Sequence, residues 1–149
     1  MITEDYVSFE TAKLLKEKGF NEYCYGYYYT SKYMTYGEFK QKNLELFPDS
    51  YSAPTLQMAM KWLREVHNIL LVVDYEYECD STPYYFKIYR LGKNGKPEHI
   101  AIKSTSYDKN NNPTEHIVSY RDWERSKGDY STYEEACEAS IKYCLENLI

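Results

Sequence analysis

Three histidines, four cysteines and one alternating run of acids are the first groups in this chain that suggest chemistry. His99 and His116 each follow a glutamate, in Glu98-His99 and Glu115-His116, a pairing that invites a bound metal. Each opens an extended stretch of an expected antiparallel meander, so the two fall near opposite ends of the sheet. Roughly seven residues at ~3.3 Å each would separate them, too far for joint ligation. Asp74, Glu76 and Glu78 alternate along one strand face, and divalent cations favour such rows. Restriction-type nucleases add a D/E-x-K on the neighbouring strand. Here Phe86-Lys87-Ile88 has no acid two places before the lysine, so a solvated acidic face is the plainer reading. Cys24, Cys79, Cys137 and Cys144 show no C-x-x-C spacing. Cys137 and Cys144 stand seven apart on an expected helix, about 10.5 Å along its axis, beyond disulfide reach. Free thiols in a reducing cytoplasm follow. No nucleophile elbow, Walker A loop, Rossmann glycine pattern or H-E-x-x-H occurs. The chain calls for no catalytic residue, no metal and no cofactor, and binding becomes the leading class of function.

Tyrosine carries the clearest signal. The chain holds 19, and seven of them fall within 23–36. Tyr23, Tyr25, Tyr27 and Tyr29 alternate, which predicts a strand with one aromatic face. Such a face either covers a helix or offers a stacking platform for a base or another planar ligand. Together with Tyr33, Trp62 and Trp123, these four make up the expected ligand- or partner-binding set. Trp62 forms an i,i+4 pair with Met58 beside the main stripe of its helix, so it is either covered by a second element or part of a contact site.

These residues need elements to hold them. Residues 51–78 read as a capped amphipathic helix feeding directly into a strand. Ser52 is the expected N-cap, with Pro54 in the first turn. Leu56, Ala59, Met60, Leu63 and Val66 give the apolar stripe, and Asn68 takes the left-handed position that ends the helix. The period then changes from 3.6 to 2. Val7-Ser8 and Gly19-Phe20 bracket a first helix over 8–18. Ser131 with Glu134, or Thr132 with Glu135, caps a last helix over 132–148, whose stripe is Cys137, Ile141, Cys144, Leu145 and Leu148. Residues 37–50 read either as a short helix through Phe39, Leu44 and Phe47 or as an excursion that packs and returns. Turns at 80–83, 93–96 and 108–113 divide the rest into strands.

The length suits one domain, 1–149, with a real core. Leu, Ile, Val and Phe number only 29 of 149, so tyrosine is expected at the rim of a thin core. A net charge of −5 argues against broad nucleic-acid binding. No apolar run reaches the length of a membrane span, and the acidic start lacks the basic region of a signal peptide. The expected architecture is α+β: an antiparallel sheet with about three helices packed mainly on one face. A second reading treats the central helix, with Lys61 and Arg64, as the recognition helix of a winged-helix fold, with Lys87, Arg90, Lys93 and Lys96 on the wing.

Three segments carry a resemblance: F-E-T-A-K-L-L-K-E-K-G-F-N-E near the start, S-A-P-T with K-W-L-R-E-V-H-N-I in the middle, and S-T-Y-E-E-A-C-E-A-S-I-K-Y-C-L near the end. In these helices, about a third of the chain, it resembles a group of small uncharacterised phage and prophage proteins of gut bacteria. The shared motifs are caps and core stripes, so the resemblance implies a common fold and no catalytic residue. It also implies an accessory role in the host cytoplasm, such as antagonism of a host defence by binding a host protein or a nucleotide-like signal. Association with a second copy of the chain is compatible with this reading.

Overall fold

The computed structural model describes residues 2–30, 32–121, 123–126 and 128–149, without the side chains of 100–103 and 119–121. Among the described residues, three helices and eight antiparallel strands make up an α+β fold. The helices are α1 (Phe9–Glu17), α2 (Leu56–His67) and α3 (Tyr133–Asn147). The strands fall into three sheets where turn spacing suggested one layer. The first sheet has the order β2 (Met34–Gln41), β1 (Cys24–Tyr28), β3 (Tyr51–Ala53). The second has the order β4 (Ile69–Tyr75), β5 (Tyr84–Arg90), β8 (Glu124–Arg125). The third is a ribbon of β6 (Ile100–Tyr107) and β7 (Pro113–Arg121). The meander breaks after β5 because Leu91 and Pro97 form only an isolated bridge, and 92–99 turns the chain away before β6 can pair.

The helix ends follow their cap chemistry. Ser8 accepts from the Thr11 N–H at the start of α1. Gly19, at φ 90°, ends it, with Phe20 N bonded back to Leu15 O. Thr132 and Glu135 form the reciprocal capping box of α3. Asn68, at φ 57°, closes α2 in the left-handed conformation. The start of α2 differs from the expectation. Ser52 lies in β3, extended and paired with Tyr27, so Thr55 becomes the N-cap and accepts from Met58 N at 3.2 Å. Residues 37–50 are the excursion rather than a helix: β2 runs to Gln41, and only a 3-10 turn at Asn43–Glu45 follows.

α3 is the central helix. It touches α1, α2, β4 and β5, while α1 reaches the first sheet through β3. The core joins Val7, Leu15 and Phe20 to Leu56 and Leu63 of α2, Ile69 and Leu71 of β4, Phe86 and Ile88 of β5, and Ile141 and Leu145 of α3. Each such side chain contributes roughly 1.5–3 kcal/mol when fully buried. No tyrosine among the described residues is in the buried set. Tyr28, Tyr51, Tyr130 and Tyr143 pack around its margin, as tyrosines with a polar tip do.

Trp62 corrects one expectation. It is 7 % exposed and packs edge-on against Phe20 at 5.4 Å and His67 at 4.6 Å between ring centres. It belongs to the core and offers no contact surface. Val66, expected on the stripe, is exposed instead. The buried side of α2 is turned toward Trp62.

Candidate functional site

β1 is the middle strand of the first sheet, and its Gly26, Tyr27 and Tyr28 have a paired neighbour on both sides. Cys24, Gly26 and Tyr28 face inward, and the Tyr28 hydroxyl donates to Val7 O at 2.8 Å. Tyr25 and Tyr27 face outward, continued beyond the strand by Tyr23 and Tyr29. Tyr23, Tyr25 and Tyr29 are each about half exposed. The sequence alternation is therefore realised as one aromatic face. Tyr33 stands just before β2, 79 % exposed. Cations attend these rings. Lys42 Nζ lies 4.5 Å from the Tyr23 ring centre and Lys40 Nζ 5.0 Å from that of Tyr25. The Tyr27 ring lies over Gly37, where a Cβ would meet the ring at 3.5 Å and the Phe39 carbonyl at 3.0 Å.

The 42–50 excursion forms a wall beside this face. Asn43 anchors it, buried, donating to Phe20 O at 2.7 Å and accepting from Ser52 N at 2.9 Å. The Asn21 side chain accepts from Leu44 N, and Lys16 on α1 donates to the carbonyls of Pro48 and Ser50. Burial lowers the pKa of Lys16, with Asp49 opposing. Between face and wall lies a groove of about 400 Å³. Tyr27, Tyr29 and Thr35 line it from the sheet, Leu46 and Phe47 from the excursion, and Glu45 and Ser50 supply polar groups. Ser50 is 1 % exposed, and its hydroxyl has no hydrogen-bond partner among the described residues. The same holds for Ser52, which pairs with Tyr27 and shares its face.

Trp123 lies elsewhere. It is half-buried at the second sheet, with Lys87 Nζ 4.9 Å from its ring. The outer face of that sheet is a neutralised network. Lys87 pairs with Asp74 at 2.7 Å, and Arg125 stacks on Tyr85 at 3.6 Å while bonding Glu76 and Asp129. The acidic row is thus divided: Asp74 and Glu76 have separate cationic partners, and β4 ends at Tyr75. His116 pairs with Ser104, about five residues along the ribbon from His99, or roughly 16 Å. Among the described residues, no three His, Cys, Asp or Glu side chains are placed to hold a metal ion. Burial pushes the thiols of Cys24 and Cys137 up to about 11 and that of Cys144 to about 12, which makes them poor nucleophiles at neutral pH.

Sequence reasoning placed the tyrosine face but missed the wall. Leu46, Phe47 and Ser50 carry no periodicity, because the excursion is held by single side-chain bonds from Asn43, Asn21 and Lys16 rather than by a repeating ladder. A second hollow, of about 550 Å³, lies beside α3 and is lined by Asp5, Glu134, Glu135 and Glu138. Its Glu138 is already engaged by Ser8 and Thr11. Among the described residues no helix is long and apolar enough to cross a membrane. No protein-family model, curated protein or solved structure matches the chain.

Proposed function

We propose that the chain is a non-enzymatic binding module whose contact surface is the outer tyrosine face of the first sheet. One observation carries this reading. Of the sixteen most exposed large apolar side chains among the described residues, eight fall between Tyr23 and Phe47. Tyr36, paired with Gly26 and packed on Tyr6, belongs to the other face, and the remaining seven concentrate apolar exposure in one segment, as interaction sites do. The lysines over Tyr23 and Tyr25 set positive charge beside stacking rings, which favours a nucleotide-like ligand. A host protein is the second reading, favoured by Phe39, Leu44 and Phe47, each 73–85 % exposed. An accessory role in the cytoplasm of a bacterial host, antagonising a defence, rests on the resemblance to phage proteins.

The winged-helix alternative has less support. Lys61 and Arg64 both lie within 4 Å of Glu65, Lys87 is bound to Asp74, and the intervening Trp62 is buried.

A photo-crosslinking residue at position 29 tests the reading in host cells, with position 77 on the far loop as control. A discrete adduct from 29 alone is expected, abolished by Tyr25→Ala with Tyr33→Ala in a chain that melts normally. Equal adducts from 29 and 77, or none from either, would overturn it.

A further inference from the structure

The groove beside the tyrosine face is built to accept something specific, and its chemistry narrows what. Its lining carries three aromatic rings, Tyr27, Tyr29 and Phe47, on which a flat ring can stack. Leaving a buried hydroxyl without a partner costs about 1–3 kcal/mol. Ser50 is such a group: the residue lines the groove at 1 % exposure, its hydroxyl is enclosed, and a ligand atom that reaches it by parting the groove floor would satisfy it. Glu45 supplies a carboxylate at the same groove; one of its oxygens already accepts from Lys42 N at 2.9 Å. A carboxylate accepts only, so it favours a ligand edge that donates N–H and repels an anionic group. The volume, about 400 Å³, lies within the range of small-molecule sites.

The geometry points to a nucleobase-type ligand for this groove: a neutral, flat nitrogen heterocycle that stacks on Tyr27, meets the Ser50 hydroxyl, and turns an N–H edge to Glu45. This rests on the tyrosine-face reading and deepens it, because Tyr27 and Tyr29 belong to both. Ser50 becomes the residue that sets specificity. A phosphate or other anionic tail stays outside the groove, on the side of the face that carries Lys40 and Lys42.

Titration of the ¹⁵N-labelled full chain with guanosine, adenosine, cytidine and uridine tests the assignment by amide shifts, with affinities from calorimetry. At least one nucleoside is expected to shift the amides of Tyr27, Tyr29 and Glu45 to Ser50 together. Ser50→Ala is expected to weaken that nucleoside about tenfold, the equivalent of one ordinary hydrogen bond. Glu45→Gln should change the ranking among the four. Because Ser50 is buried, the milder Ser50→Cys provides a second variant if alanine disturbs the fold, with weakening again expected. Shifts at Tyr25 and Tyr27 without any at Glu45 to Ser50 would overturn the groove assignment and leave the tyrosine face standing. No shift with any nucleoside at millimolar concentration, or unchanged affinity in both Ser50 variants, would overturn the ligand class; the face would then be judged by the crosslinking result.

Discussion

Lys16 Nζ lies 2.8 Å from the carbonyl oxygen of Ser50, and 3.0 Å from that of Pro48, so a single ammonium on α1 holds the groove wall against the body of the protein. The same ammonium stands 5.2 Å over the ring of Tyr51. The wall has no strand ladder of its own, and this contact with the Asn43 and Asn21 bonds carries its order.

Lys16→Met keeps the aliphatic stem and removes the donor. The expected loss is about 1 kcal/mol in urea denaturation, because water can replace the ammonium at the exposed Pro48 carbonyl while the Ser50 carbonyl, on a buried residue, loses its donor. Amide exchange at 44–50 should quicken while that of α3 stays unchanged. Equal acceleration in both segments would show that Lys16 supports the whole fold.

The two tryptophans separate cleanly. Trp62→Ala empties a site between Phe20 and His67 and should cost about 3–5 kcal/mol. Trp123→Ala removes a half-buried ring beneath Lys87 and should cost about 1 kcal/mol or less. Thermal melts of both variants decide it, and equal losses would contradict the burial difference.

That contrast shows what the sequence could and could not say. Helix caps were legible because each is a local bargain between one side chain and one or two N–H groups: Ser8, Gly19, Asn68 and Thr132 all stand as their types predict. The face of β1 was legible because alternation is also local. Trp62 was not, since its burial depends on Phe20 arriving from another element. Nor was the role of Ser52, because a three-residue strand such as β3 has too few positions to show a period, and its pairing to β1 is a long-range fact. The third sheet parts from the second at the 92–99 turn, with its isolated Leu91–Pro97 bridge, while β8 takes the free edge of β5 and β6 pairs with β7.

Asp74 and Lys87 form a cross-strand ion pair whose two partners shift in opposite senses. The hydrogen bond from Lys87 holds the Asp74 carboxyl below its usual range, and the same bond raises Lys87. The Asp74 contribution is present above the unfolded carboxylate pKa and is lost as pH falls through its lowered folded value. The Lys87 contribution is present below the unfolded lysine pKa and is lost as pH rises through its raised folded value. Asp74 keeps 43 % of its side chain exposed, so solvent screening limits the pair. A double-mutant cycle with Asp74→Asn and Lys87→Met should give about 0.5–1 kcal/mol of coupling at neutral pH. Zero coupling would mean that the Tyr85 and Trp123 rings hold Lys87 without the carboxylate.

His67 should set the stability between pH 7 and pH 5. Burial lowers its pKa from the ordinary 6.5, and its Nε2 is enclosed without a partner among the described residues. The unfolded chain therefore takes up the proton at a higher pH than the folded one, and protonation favours unfolding. Stability is full above 6.5 and falls as pH drops through 6.5 and on through the lower folded value. Urea midpoints at pH 7.5 and pH 5.5 should differ in the natural chain and draw together in His67→Phe, which keeps a ring against Trp62. An undiminished difference would move the acid sensitivity to the carboxylates.

Glu138 ties α1 to α3 through one oxygen. Its Oε1 accepts from Ser8 N, Ser8 Oγ and Thr11 Oγ1, while Oε2 is buried with no partner among the described residues. The two oxygens are thus unequal, and the unequal use separates charge from geometry. Glu138→Gln keeps one carbonyl-type acceptor for all three donors and gives up only the charge assistance, an expected loss of about 1 kcal/mol. Glu138→Ala strips the acceptor and leaves the Thr11 hydroxyl, fully buried on α1, with only the longer 3.3 Å bond from Ser8 Oγ, for about 2 kcal/mol. Thr11→Val in the alanine background should recover part of that loss, because the under-satisfied hydroxyl is then gone. If glutamine proved as damaging as alanine, the negative charge rather than the acceptor would be what joins the two helices.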